Sequence, residues 1–233
     1  MRQITRRVFV STAAAGIAAA ATQSLDAQRI YHPNDWKLSA FNELLSGKSS
    51  VKQVCDIVAI SDGSAFDHIV NLLDGLRFGF DIPEKQFKIV AAFRGMANVM
   101  TFNDAMWAKY NIGEWLKVND WKTKKPATRN PFYLSDFGSP AKYPSQDPND
   151  PKSLEQDSSI QALQQRGVRL IACHTAISAM SAGLVQKLGL ASTKEEVVAD
   201  LQANLLPDVL VVPTGVSAIS MLQNRGHFCY VRL

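Results

Sequence analysis

Two hydrophobic periods alternate along this chain. Val51 to Ile60 is a continuous, β-branched apolar run that stops at the turn signal Ser61-Asp62-Gly63, which predicts a buried strand. Phe66 to Phe80 then places Phe66, Ile69, Val70, Leu73 and Leu76 on one helical stripe. Phe87 to Phe93 predicts a second strand, closed by Arg94-Gly95, and Asn103 to Leu116 reads as a helix with Met106, Trp107, Tyr110 and Trp115 as its bulk. From Val118 to Lys152 the periodicity stops. Six prolines (Pro126, Pro131, Pro140, Pro144, Pro148 and Pro151) fall among Asn, Asp and Ser, so this stretch predicts a long insertion or flap. Regular patterning returns with a helix over 154–166, a strand over 168–172, and helices over 175–188 and 194–205. A strand over 209–212, a helix over 216–224 and a last strand over 228–233 complete the pattern. A short helix is also expected over 36–45.

Strands that alternate with helices of this length imply crossover connections. The expected fold class is therefore α/β, a doubly wound, mainly parallel sheet of about five strands with helices on both faces. The order of elements is consistent with one domain over 28–233, carrying the proline-rich insertion at about 118–152.

The N-terminus changes the picture of where that domain works. Thr5-Arg6-Arg7-Val8-Phe9-Val10 precedes an alanine-rich run, Ala13 to Ala21, with no acidic residue before Asp26. A charged start, a short apolar stretch and a small-residue exit are the order of an export signal, and the arginine pair resembles the twin-arginine type. Residues 1–27 are thus expected to be a signal removed after Ala27, with an earlier cut after Ala21 open. The protein is expected to be exported folded to the periplasm or another extracytoplasmic space. The alanine-rich run is too short and weakly apolar to span a bilayer, so no membrane insertion is expected once it is removed. Three of the 25 basic side chains and one of the 21 acidic ones lie in this segment, so the remainder is nearly balanced and offers no electrostatic footprint for nucleic acid.

Chemistry is expected at the loops that follow the strands, where open α/β sheets bind ligands. Cys173 stands where the strand VRLIA gives way to a helix, and a helix start favours a thiolate, the form needed for a nucleophile or sulfur carrier. His174 adds to this if its ring turns toward the sulfur. Arg94, Thr175, Thr214 and Gly215 are the candidate ligand contacts: Arg94 for an anionic group, the Pro213-Thr214-Gly215 turn for an anion at a helix start. Trp107, Tyr110, Trp115 and Trp121 either line a pocket near the flap or fill core. Cys55, in the middle of an apolar run, reads as core, and three cysteines do not make a disulfide framework. The four histidines lack metal-site spacing and no C-x-x-C occurs, so no metal or other cofactor is expected. No G-x-S-x-G, G-x-G-x-x-G or Walker loop is present.

Three segments together carry a family resemblance. Gly167-Val168-Arg169-Leu170-Ile171-Ala172-Cys173 is followed by Leu206-Pro207-Asp208-Val209-Leu210-Val211-Val212-Pro213-Thr214-Gly215-Val216 and by Leu222-Gln223-Asn224-Arg225-Gly226-His227-Phe228-Cys229-Tyr230-Val231. This series resembles the DsrE-like proteins over residues 154–233 and, by element order alone, over 51–95. The resemblance implies a small doubly wound α/β fold that assembles with itself as a homotrimer or hexamer. It also implies a persulfide carried on the cysteine at the end of the central strand, here Cys173, with a sulfur donor or acceptor protein as partner. Two other readings stay open: an oligomeric small-ligand-binding module with a structural Cys173, and a redox pair of Cys173 with Cys229.

Overall fold

The computed structural model describes residues 32–137 and 142–233. The expected signal over 1–27 lies outside the described residues. Five strands form one sheet, all parallel: β1 (Val51–Ile57), β2 (Phe87–Phe93), β3 (Arg169–Cys173), β4 (Val209–Val212) and β5 (Cys229–Arg232). Their spatial order is β4-β3-β2-β1-β5. The chain steps outward from β1 to β4 and then crosses back to place β5 on the free edge of β1. This is the doubly wound α/β class expected from the sequence.

The helices are α1 (Leu38–Leu45), α2 (Ser64–Asp74), α3 (Asp104–Lys109), α4 (Ile112–Leu116), α5 (Ile160–Gln165), α6 (His174–Leu188), α7 (Lys194–Ala203) and α8 (Gly215–Asn224). Because successive strand residues point to opposite faces, the sheet builds two cores. Cys55, Ile57, Ile89, Ala91, Phe93, Leu170 and Ala172 pack against α2 to α7. Val54, Val90, Ala92, Ile171 and Val212 pack against α1 and α8 through Phe41, Leu44, Ala218, Ile219 and Leu222. Both faces are apolar, which is why the strands read as continuous runs rather than as alternations.

Several boundaries differ from the sequence expectation for local reasons. The helix expected over 103–116 is two helices, because Asn111 takes a left-handed conformation (φ 46°) between them. The helix expected from Leu154 begins only at Ile160, where the Ser159 side chain accepts from the Ala162 N–H. α2 continues into a π-helical turn, Gly75–Gly79, rather than running on as an α-helix to Phe80. Between β1 and α2 the backbone of Ser61, Asp62 and Gly63 is left-handed at three successive positions (φ 41°, 52° and 85°). Among its described residues the insertion forms no strand pair beyond the isolated bridge Asn119–Pro126. It is nonetheless bound to the domain. Asn130, buried, donates from Nδ2 to the carbonyls of Met100 and Phe102 (2.8 Å each) and accepts from the Phe132 N–H. Among the described residues no helix is long and apolar enough to cross a membrane.

Candidate functional site at the carboxyl edge of the sheet

Register decides which side chains meet. Cys173 pairs with Val212, whose side chain belongs to the core under α1 and α8, so the thiol takes that same face. Asp56, next to Val54 by alternation, and Arg94, one residue beyond the end of β2, project to it as well. Arg94 donates from Nε to Asp56 Oδ1 (2.6 Å) and from Nη2 to Asp56 Oδ2 (2.8 Å), a two-pronged ion pair. The Tyr230 hydroxyl donates to Asp56 Oδ2 at 2.8 Å. Asp56 is only 1% exposed, so these three donors replace the water it has lost. The Asp56 carboxylate raises the pKa of the Arg94 guanidinium, chiefly through their hydrogen bond, and by the same means that of the Tyr230 phenol.

α8 starts directly on this cluster. The Thr214 side chain accepts from the Ser217 N–H at 3.1 Å and caps the helix. A Cβ placed on Gly215 would lie 3.1 Å from Arg94 Cβ and 3.4 Å from Cys173 Cβ, so a bare Cα lets the helix start settle between them. Cys173 itself is the residue from which α6 departs. Its N–H donates to Asn98 Oδ1 (2.9 Å), and Asn98 in turn donates to the Gly95 carbonyl (3.1 Å). Thr175 donates from both N–H and Oγ1 to the Pro213 carbonyl (3.3 and 3.0 Å), which ties the start of α6 to the loop leading into α8. Arg94, Cys173, Thr175, Thr214 and Gly215 thus lie at one corner of the molecule. Cys173 is 7% exposed and the Arg94 side chain 31%.

His174 has a different allegiance. Its ring is buried, and Nδ1 lies 2.6 Å from Gln202 Nε2 on α7. The imidazole is anchored across α6 to α7 through this bond. The pairing of Cys173 with Cys229 does not survive the topology. β3 and β5 are three strand spacings apart, about 14 Å. That is well outside the Cα separation of roughly 4.4 to 6.8 Å that a disulfide spans. Cys55 is fully buried in β1, and burial pushes its thiol up to about 12. Cys229 is exposed.

Asp56 and Tyr230 are the residues that sequence reasoning missed. The available signal was an acidic residue inside an otherwise apolar, β-branched run, which in a buried strand demands a partner. A separate cavity of about 450 Å³ lies under the insertion and over the start of α2; Trp121, Phe66 and Phe132 line it, whereas Cys173 does not. Trp107 is core, and Tyr110 is a buried residue bonded to Asp200. Among the described residues no group of three or more His, Cys, Asp or Glu is arranged to hold a metal ion. Comparison of the chain with protein families, with curated proteins and with solved structures finds no match.

Proposed function

We propose that this protein accepts and carries sulfane sulfur on Cys173. The observation that carries the reading is the convergence of Cys173, Arg94 and the start of α8 around Gly215, on the carboxyl edge where α/β sheets bind ligands. The Cys173 thiolate attacks the outer sulfur of a donor persulfide. The donor's S–S bond breaks, a new S–S bond forms on Cys173, and the donor leaves as a thiolate with no net change in oxidation state. Arg94 and Asp56 are neutral as a pair, so the positive potential around a persulfide anion on Cys173 comes mainly from the helix starts of α6 and α8.

The resemblance to DsrE-like proteins supports the same reading and brings two further proposals. One is self-assembly as a homotrimer or hexamer. The other is transfer to or from a partner protein, which in an exported protein takes place outside the cytoplasm. A sulfane donor such as glutathione persulfide, followed by peptide mass spectrometry, tests the mechanism. The expected product carries one added sulfur on Cys173, with Cys55 unmodified. If exposed Cys229 takes up sulfur while Cys173 stays a free thiol, the proposal is wrong.

A further inference from the structure

The cavity under the insertion has a chemistry of its own. Its wall includes Trp121, 48% exposed although an aromatic of that size is usually covered, and Leu134, likewise half exposed. The Trp121 ring stands edge-on to Phe132 (centroids 5.9 Å apart, 81°), and Phe132 lies 6.0 Å from Phe66, so three rings are joined in sequence. Around them are the carboxylates of Asp62, Asp67, Asp136 and Asp157, with Arg129 the one cationic side chain in the lining among the described residues. Arg129 is paired with Asp120 (3.4 Å), and Asp136 with Lys122 (2.8 Å). Asp157 is held only by neutral donors, the hydroxyls of Ser135 and Tyr143 and the Ser159 N–H. Asp62 and Asp67 have no hydrogen-bond or ion-pair partner among the described residues. Three carboxylates without an ion-pair partner among the described residues thus line the hollow beside Trp121, and the Arg129 guanidinium in the same lining is already paired with Asp120.

We infer that this cavity binds a small organic cation of the alkylammonium class. An ammonium meets both features at once: the half-exposed Trp121 ring attracts a cation through its quadrupole, backed by the buried rings of Phe132 and Phe66, and the carboxylates supply its counter-charge. An anion is repelled, and a hard metal ion has no use for the rings. About 450 Å³ is within the usual size of a small-molecule site. The flap fixes the cavity in place, since Phe132 packs on Gly63 at the left-handed turn (3.0 Å from a Cβ placed there) and Asn130 bonds the carbonyls of Met100 and Phe102. The inference is independent of sulfur chemistry at Cys173.

Titration calorimetry of the mature protein with choline chloride tests it, with 3,3-dimethylbutan-1-ol as the uncharged probe of the same shape and calcium chloride as the metal probe. Saturable choline binding is expected, with the neutral alcohol weaker by at least about fivefold. Trp121→Ala is expected to weaken choline by a similar factor while leaving the melting temperature within a few degrees. Asp67→Asn is expected to weaken it further at low salt than at high salt. Cys173→Ser is expected to bind as the parent does. Absence of choline binding into the tens of millimolar, equal affinity for the alcohol, displacement of choline by calcium, or indifference to both substitutions would each overturn the inference.

Discussion

Asp56 accepts from Arg94 and Tyr230 and is nearly sealed from water, so removing its charge strands the guanidinium against an apolar sheet face. Asp56→Asn is expected to lower stability by about 2 to 3 kcal/mol, reduced from the fully buried case because Arg94 keeps some solvent; urea unfolding at neutral pH measures it. The same experiment on Gly215→Ala is expected to show a loss of about 1 to 3 kcal/mol, because the new methyl meets Arg94 Cβ at 3.1 Å. Arg94, Cys173 and Gly215 were legible in the sequence as strand-end residues. Their meeting was not. It depends on β3, β2 and β1 being neighbours in register, and the Asp56–Tyr230 bond joins residues 174 apart in the chain, a separation no local pattern reports. The bond of His174 to Gln202 was out of reach for a related reason: Gln202 lies on another helix.

Hydrophobic period located all five strands, because each is a short apolar run bounded by turn residues. It misjudged helix ends wherever backbone conformation, rather than burial, decided the matter. The break at Asn111 is an example, and its neighbour Gly113 shows what the break achieves. A Cβ on Gly113 would sit 2.2 Å from the Ala127 carbonyl oxygen and 2.4 Å from its nitrogen, so the insertion's backbone lies directly on α4. Gly113→Ala is therefore expected to detach or strain the insertion, at a cost of at least about 2 kcal/mol, seen as earlier proteolysis between 118 and 152 and a lower melting temperature. The composition of the insertion pointed to a long loop or flap; it did not reveal that Asn130, Phe132 and Ala127 fasten it.

At the scale of the whole molecule, several weak acids are held neutral. Burial pushes Tyr143 up to about 12 and Cys55 to about the same value, and hydrogen bonding to Asp56 raises Tyr230. A group whose folded pKa lies above its unfolded one contributes stability that is complete below the unfolded value and disappears as pH rises through the folded one. The free energy of unfolding is thus expected to fall with rising pH, starting near pH 8 to 9 for Cys55 and near 10 for the tyrosines, and continuing toward about 12. Tyr143→Phe should shallow the part of that decline above pH 10, as measured by urea titrations at successive pH values. For the same reason Cys55 is expected to resist alkylation at pH 8 in the folded protein while Cys229 labels promptly.

The pairing of β5 with β1 has a temporal meaning. Tyr230 follows Asp56 by 174 residues, so on the ribosome one edge of β1, and the Asp56 carboxylate with it, waits for β2, β3 and β4 to be made before its neighbour exists. A sheet closed by so distant a contact forms late and slowly. Tyr230 thereby reports the docking of β5: until that strand has paired with β1, the ion pair at the sheet's carboxyl edge lacks its third member. A chain cut short before β5 is expected to expose that edge to aggregation.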